Sequence, residues 1–258
     1  MLKNSLLQIM GFVCALILLS QTAVSQPYPE GSPGFYVNPF IGTGGHGHTF
    51  PGATLPFGMV QLSPDTRLEG WDGCSAYHGS DSVIYGFSHT HLSGTGCSDY
   101  GDILLMPFTG KSDPGSNLFS APFSKSNEKA SPGFYHVSFP DRGIDVNLTA
   151  TSRCGLHEYH YLNGKEPGIF LDLKHRDKVL ESGLKLVSAD EVEGFRFSQA
   201  WAQKQMIFFV IRFSEPWSEA NILEDGKIVK GGKEVKGTDV RATFSFPEKS
   251  DKKIFVKV

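Results

Sequence analysis

Short runs of alternating apolar and polar residues, broken by tight-turn signals, recur along most of this chain. A period of two suits a strand with one buried face. It does not suit a helix, whose faces return every ~3.6 residues. Residues 134–139 (Phe-Tyr-His-Val-Ser-Phe) alternate, Pro140-Asp141-Arg142-Gly143 turns the chain, and Ile144, Val146, Leu148 and Ala150 alternate again. Residues 158–162 lead through Asn163-Gly164 into 168–173. Asn-Gly reads as a hairpin turn because both central positions need positive φ. Residues 184–187 with 194–197, and Ile222-Leu223 with Ile228-Val229 across Asp225-Gly226, repeat the arrangement. Val240, residues 243–246 and residues 254–256 close the series. Many short strands at this spacing predict an all-β fold, a large antiparallel β-sandwich. Residues 206–211 (Met-Ile-Phe-Phe-Val-Ile) are apolar throughout and predict a central strand covered on both faces. One cover is the sandwich core; the other is a neighbouring domain or a loop.

The N-terminus obeys a different rule. Lys3 precedes an apolar run through Leu19, and Ala23-Val24-Ser25 offers a small-x-small exit. That order predicts a secretory signal over 1–25, a linker over 26–35 and a β domain over 36–258. The apolar run is short for a membrane span of roughly 20 residues, so the mature form is expected to carry none. Export places the protein in the periplasm, at the cell surface or outside a Gram-negative cell. Past the signal, Cys74, Cys97 and Cys154 allow one disulfide and leave at least one thiol over. A net charge of -3 gives no basic footprint for nucleic acid, and 40% hydrophobic residues supply a core.

Residues 31–101 show few strand signals and many Gly, His, Ser, Pro and aromatic residues, the composition of ordered functional loops. Several chemistries compete for them. Gly42-Thr43-Gly44-Gly45 lacks the Lys-Ser/Thr end of a phosphate loop. Ser88, His89 and Asp99 lie close in sequence without a nucleophile elbow. His46, His48, His89, His91 and Cys97 are candidate metal ligands, since His-x-His puts two rings on one strand face. The same histidines serve equally to bond backbone carbonyls or sugar hydroxyls. Among the carboxylates, Asp72 beside Trp71 is the best sugar-binding pair: an indole packs on pyranose CH groups while a carboxylate takes hydroxyls. A core Trp followed by a turn Asp reads as well. Spacing selects no acid and base.

Four strings are more specific: residues 36–43 (Tyr-Val-Asn-Pro-Phe-Ile-Gly-Thr), 46–53 (His-Gly-His-Thr-Phe-Pro-Gly-Ala), 56–65 (Pro-Phe-Gly-Met-Val-Gln-Leu-Ser-Pro-Asp) and 86–97 (Gly-Phe-Ser-His-Thr-His-Leu-Ser-Gly-Thr-Gly-Cys). They resemble glycoside hydrolase family 92, calcium-dependent exo-acting α-mannosidases. The likeness is strongest from 36 to 107 and returns at 207–216. It implies an N-terminal β-sandwich of the galactose-mutarotase-like type, packed in full-length members on a helical (α/α)6 catalytic domain, with the pocket between them. It also implies hydrolysis with inversion, on α-1,2-linked mannose. The resemblance further implies that the acid, the base and most calcium ligands belong to the helical part, expected outside the present sequence. The resemblance therefore gives this chain no catalytic residue and no metal ligand. It makes the partners a mannose-containing glycan and that helical domain. Trp71 and Asp72 are the expected substrate contacts, with His46, His48, His89 and His91 near the junction. A free-standing carbohydrate-binding module and a cupin-like metalloprotein remain the alternatives.

Overall fold

A computed structural model describes residues 28–111 and 119–258. The signal expected over 1–25 and the first residues of the linker lie outside them. The chain divides after Tyr36 into two units. Among the described residues of the first, Pro33–Tyr36 makes a 3-10 turn. The second, Val37–Val258, holds every strand described below.

Two large sheets make up this unit. The first has eight strands in the spatial order Ala53–Thr54, Gln61–Asp65, Gly86–Ser88, Leu104–Thr109, Pro167–Asp172, Val240–Ser245, Glu219–Glu224 and Lys227–Ile228. The second has nine: Glu234–Gly237, Lys178–Leu186, Glu191–Gln199, Gln205–Phe213, Lys252–Lys257, Gly155–Tyr161, Ile144–Ala150, Phe134–Phe139 and Glu128–Ser131. A two-stranded ribbon, Val83–Ile84 with Ala121–Pro122, pairs with neither sheet but sends Ile84 and Ala121 into the core. Neighbouring strands run antiparallel, as the alternating pattern predicts. No helix among the described residues is long and apolar enough to cross a membrane.

The alternation sorts residues by face. In Phe134–Phe139 and Ile144–Ala150 the inward row is Tyr135, Val137, Phe139, Ile144, Val146 and Leu148, all buried. These join Leu62, Phe87, Leu105 and Ile169 of the opposite sheet in one core cluster. Phe87 and Phe139 meet across it at 6.4 Å between ring centroids. Burying one such side chain stabilises the fold by roughly 1.5–3 kcal/mol. Gly143 ends the connecting 3-10 turn in the left-handed region at φ 61°, where glycine carries no Cβ penalty. Asp225 (φ 48°) and Gly226 (φ 75°) turn the chain as their sequence predicts.

One expectation needs correction. Asn163-Gly164 closes no hairpin, because Gly155–Tyr161 and Pro167–Asp172 lie in different sheets. Gly164 does take positive φ, 58°. The reason is a close backbone approach: a Cβ there would sit 1.8 Å from the Lys249 carbonyl oxygen. Residues 206–211 meet the sandwich core on one face, and among the described residues nothing covers the other. Phe209 and Ile211 point into the core, whereas Met206, Phe208 and Val210 are exposed, Phe208 by 66%. The doubly covered strands are Leu104–Thr109 and Pro167–Asp172. On the latter, Phe119 stacks on Phe170 at 3.9 Å. Cys74, Cys97 and Cys154 are all free thiols.

Candidate functional site

Loops from three parts of the chain meet beside the Gln61–Asp65 strand. The first, residues 42–49, is folded tightly on itself: a Cβ on Gly47 would lie 2.1 Å from the Gly42 carbonyl oxygen. His48 follows with φ 53°, a conformation that few non-glycine residues adopt. Its carbonyl is held by the Gly94 N–H at 2.7 Å. The second loop carries Trp71 and Asp72 on a 3-10 turn, Trp71–Gly73. The third, residues 94–97, lies under the indole. A Cβ on Gly96 would come 2.0 Å from the Trp71 ring, so only glycine lets the ring lie this close. The Cys74 thiol donates to the Thr95 carbonyl at 2.7 Å, tying the second loop to the third. Arg176 clamps the set: its guanidinium donates to Ser98 Oγ at 2.6 Å and to the carbonyls of Arg67 and Cys74.

Four of the six residues singled out from sequence come together here. The Asp72 Oδ1 atom accepts from His46 Nδ1 at 2.7 Å and from His48 Nε2 at 3.2 Å. The hydrogen bond from His46, reinforced by His48, holds the Asp72 carboxyl below its usual range. His48 is buried and meets Trp71 edge-on, with 5.2 Å between centroids. Trp71 is 63% exposed, so it is not a core tryptophan. An open indole face, a carboxylate and two imidazoles thus share one surface. That combination can pack on an apolar ring face while bonding polar substituents.

His89 and His91 are placed differently, in the interior. His89 Nδ1–H donates to the Ile103 carbonyl at 2.7 Å, so its Nε2 is left as an acceptor. His157 Nε2–H supplies the donor at 2.9 Å, and the Tyr159 hydroxyl donates to His157 Nδ1 at 2.8 Å. The chain of bonds fixes both tautomers. Burial agrees, lowering the His89 pKa to about 4 and that of His157 well below its ordinary value. His91 bridges the Gln61 carbonyl and Asp65 Oδ1, both at 2.7 Å. His175 Nε2 and Ser88 Oγ complete the cage around Asp65. Burial alone would raise the Asp65 carboxyl, yet attraction and hydrogen bonds from His91 and His175 hold it far below the usual range. Ser88, His89 and Asp99 do not assemble: Asp99 bonds Gln205 and the Ala202 N–H instead.

The polar interior includes residues that sequence reasoning passed over. Arg196, fully buried, pairs with Asp102 and donates to the carbonyls of Leu173 and His175 at 2.9 and 2.7 Å. Asp177 accepts from the Tyr100 N–H at 2.6 Å. Its carboxyl is raised to about 6, by burial first and then by Asp99 and Asp102, against the pull of Tyr100 and Arg196. His157 was legible: it falls on the inward row of residues 155–161 with Tyr159 and Tyr161. His175 and Asp177 stand in a charged loop that gives no such signal. A groove of about 320 Å³ is lined by Met59, His89, Arg153, Cys154, Phe208 and Arg212 among others, and of the six residues singled out from sequence His89 alone borders it.

The sequence profile of the glycosyl hydrolase family 92 N-terminal domain matches residues 36–258. The fold superposes on a family 92 α-mannosidase from Bacteroides thetaiotaomicron, solved in complex with mannoimidazole. The TM-score is 0.81 at 32% identity, over 87% of this chain and 32% of that one. A family 92 inverting mannosidase from the same organism gives 0.73 at 25% identity, over 86% and 30%. An "uncharacterized secreted glycosidase" of Arthroderma benhamiae is 32% identical over 173 residues, covering 61% of this chain and 21% of that protein. The chain thus spans about a fifth of that curated relative and about a third of the solved ones. With the profile matching residues 36–258 and the fold shared over 87% of its length, the chain belongs to glycosyl hydrolase family 92, as its N-terminal domain.

Proposed function

We propose that this domain forms one wall of the sugar pocket of an exported α-mannosidase that removes mannose from glycan ends. The exposed Trp71 indole beside Asp72, itself flanked by His46 and His48, carries this reading. The indole offers a surface for pyranose CH groups, and the carboxylate and imidazoles offer partners for hydroxyls. His89 and His91 support that wall from beneath. The relatives' descriptions as α-mannosidase, inverting mannosidase and secreted glycosidase favour the same activity and export. Inversion on α-1,2-linked mannose is the finer form of the proposal. Inverting hydrolysis needs an acid and a base about 6.5–9.5 Å apart. We place both on the remainder of the longer protein, together with calcium. Calcium takes about six to eight oxygen ligands. The trio of converging donors found here, His46, His48 and Asp72, brings two nitrogens and does not fit it. The exposed row of Met206, Phe208 and Val210 suits an apolar seat for that remainder.

The test is Trp71→Ala in the full-length enzyme, assayed on α-1,2-mannobiose. Loss of the platform should lower kcat/KM by about 1–3 kcal/mol in transition-state binding, roughly 5- to 150-fold. The present chain alone should show no turnover. Unchanged kcat/KM at unchanged Tm would remove Trp71 from the pocket. Mannoside binding by the chain alone would favour a free-standing module.

A further inference from the structure

We propose that His46, His48 and Asp72 form a binding site for a divalent transition ion of the zinc class. The ligand atoms of the three residues all lie within 4.8 Å of one another. Both ring nitrogens converge on the same carboxylate oxygen, at 2.7 and 3.2 Å. In a tetrahedral zinc site with bonds of about 2.0–2.1 Å, neighbouring ligand atoms stand about 3.3 Å apart. The His48–Asp72 spacing already matches that edge. The exposed His46 needs only a small outward turn.

The donor chemistry selects the ion. Two imidazoles and one carboxylate suit zinc and its first-row neighbours, whereas calcium and magnesium prefer oxygen. To accept an ion, each ring turns a lone pair inward and carries its proton on the other nitrogen. The site is also built in advance. His48 is buried, its backbone is held in the left-handed region, and its carbonyl is pinned by the Gly94 N–H. Gly47 packs against Gly42 with no room for a side chain, and the histidines on either side of it both bond Asp72. Three protein ligands leave one tetrahedral position for a water or a ligand oxygen. Trp71, in ring contact with His48, neighbours that position. An ion there would compete with a sugar hydroxyl for Asp72. The site stands on its own geometry and does not depend on the mannosidase reading.

Equilibrium dialysis of chelator-stripped protein against micromolar zinc, with calcium in large excess, tests it. Elemental analysis should find one zinc retained per chain. Asp72→Asn and His48→Ala should abolish retention. The exposed His46→Ala, least able to disturb folding, should weaken it by about tenfold or more, the scale on which even supporting groups act. Circular dichroism confirms that each variant is folded. Nickel should quench tryptophan fluorescence in the parent and much less in Trp71→Phe. No retained zinc in the folded parent, or retention unaltered by His46→Ala and Asp72→Asn together, would overturn the proposal. These readouts involve no glycan, so they fail or succeed separately from mannosidase activity.

Discussion

The hairpin Phe134–Phe139/Ile144–Ala150 and the pair Glu191–Gln199/Gln205–Phe213 belong to the same sheet but divide their residues differently. The hairpin turns Tyr135, Val137, Ile144 and Val146 inward and His136, Asp145 and Asn147 outward. The second pair turns Arg196 and Ser198 inward and leaves Phe195, Phe197 and Phe208 clustered on the outside. Lys204 and Lys236 sit over that aromatic group. Alternation reports a water-facing side only where one face meets water. In the second pair the inward side is split, Phe209 and Ile211 entering the core while Arg196 and Ser198 meet a polar knot, and the outward side carries apolar surface. Polarity then no longer tells in from out.

The sharpest way to break this contrast is at Arg196. Arg196→Met leaves Asp102 buried without its cation and frees the carbonyls of Leu173 and His175. Urea unfolding should show a loss of about 3–5 kcal/mol. Ile144→Val in the hairpin removes one methyl and should cost about 0.5–1.5 kcal/mol. Equal losses would mean that the polar knot is no more critical than ordinary core packing.

A second test uses pH. The Asp177 carboxyl is raised from 3.8 to about 6 in the folded state. Between those values the folded protein holds a proton that the unfolded chain has released. Stability contributed by this group is therefore full below about 4 and is lost as pH rises through about 6. At ~1.36 kcal/mol per unit the loss approaches about 3 kcal/mol. Relative to Asp177→Asn, the parent should lose that much across the window. Parallel pH profiles would show that Asp177 ionises freely within the fold.

The smallest effect is expected outside. Phe208→Gln should change stability by no more than about 1 kcal/mol, since the ring is mostly exposed, meeting Phe197 edge-on and Phe195 at a tilt. It should lower binding of an apolar dye. A large loss of stability would show Phe208 to be a core residue in all but position.

These differences mark what the sequence made legible. The hairpin was readable to the residue because solvent lies on one side of it. The strand at 206–211 was readable as a strand, but not its faces, since Phe208 and Phe209 are chemically alike and point opposite ways. Asn163-Gly164 gave the right backbone and the wrong connection, because φ is a local property and sheet membership is not. In the site, Trp71 and Asp72 stood out as a pair, while their union with His46 and His48 depends on a fold-back across 24–26 residues. His175 and Asp177 belong to the interior through long-range contacts that no local pattern encodes.

The bond from His157 to His89 has a consequence for how the sandwich is aligned. Two greasy sheets could pack almost as well after sliding past each other by one pair of residues, because oil gives little preference for register. The run from Tyr159 through His157 and His89 to the Ile103 carbonyl points one way only. Gly155 leaves a notch for the His89 ring, where a Cβ would come within 2.8 Å. Slippage would set an aliphatic group against an imidazole and strand several donors at once. The pair works as a key in a keyway, indexing one sheet against the other and with it the loop that starts at His89 and passes beneath Trp71.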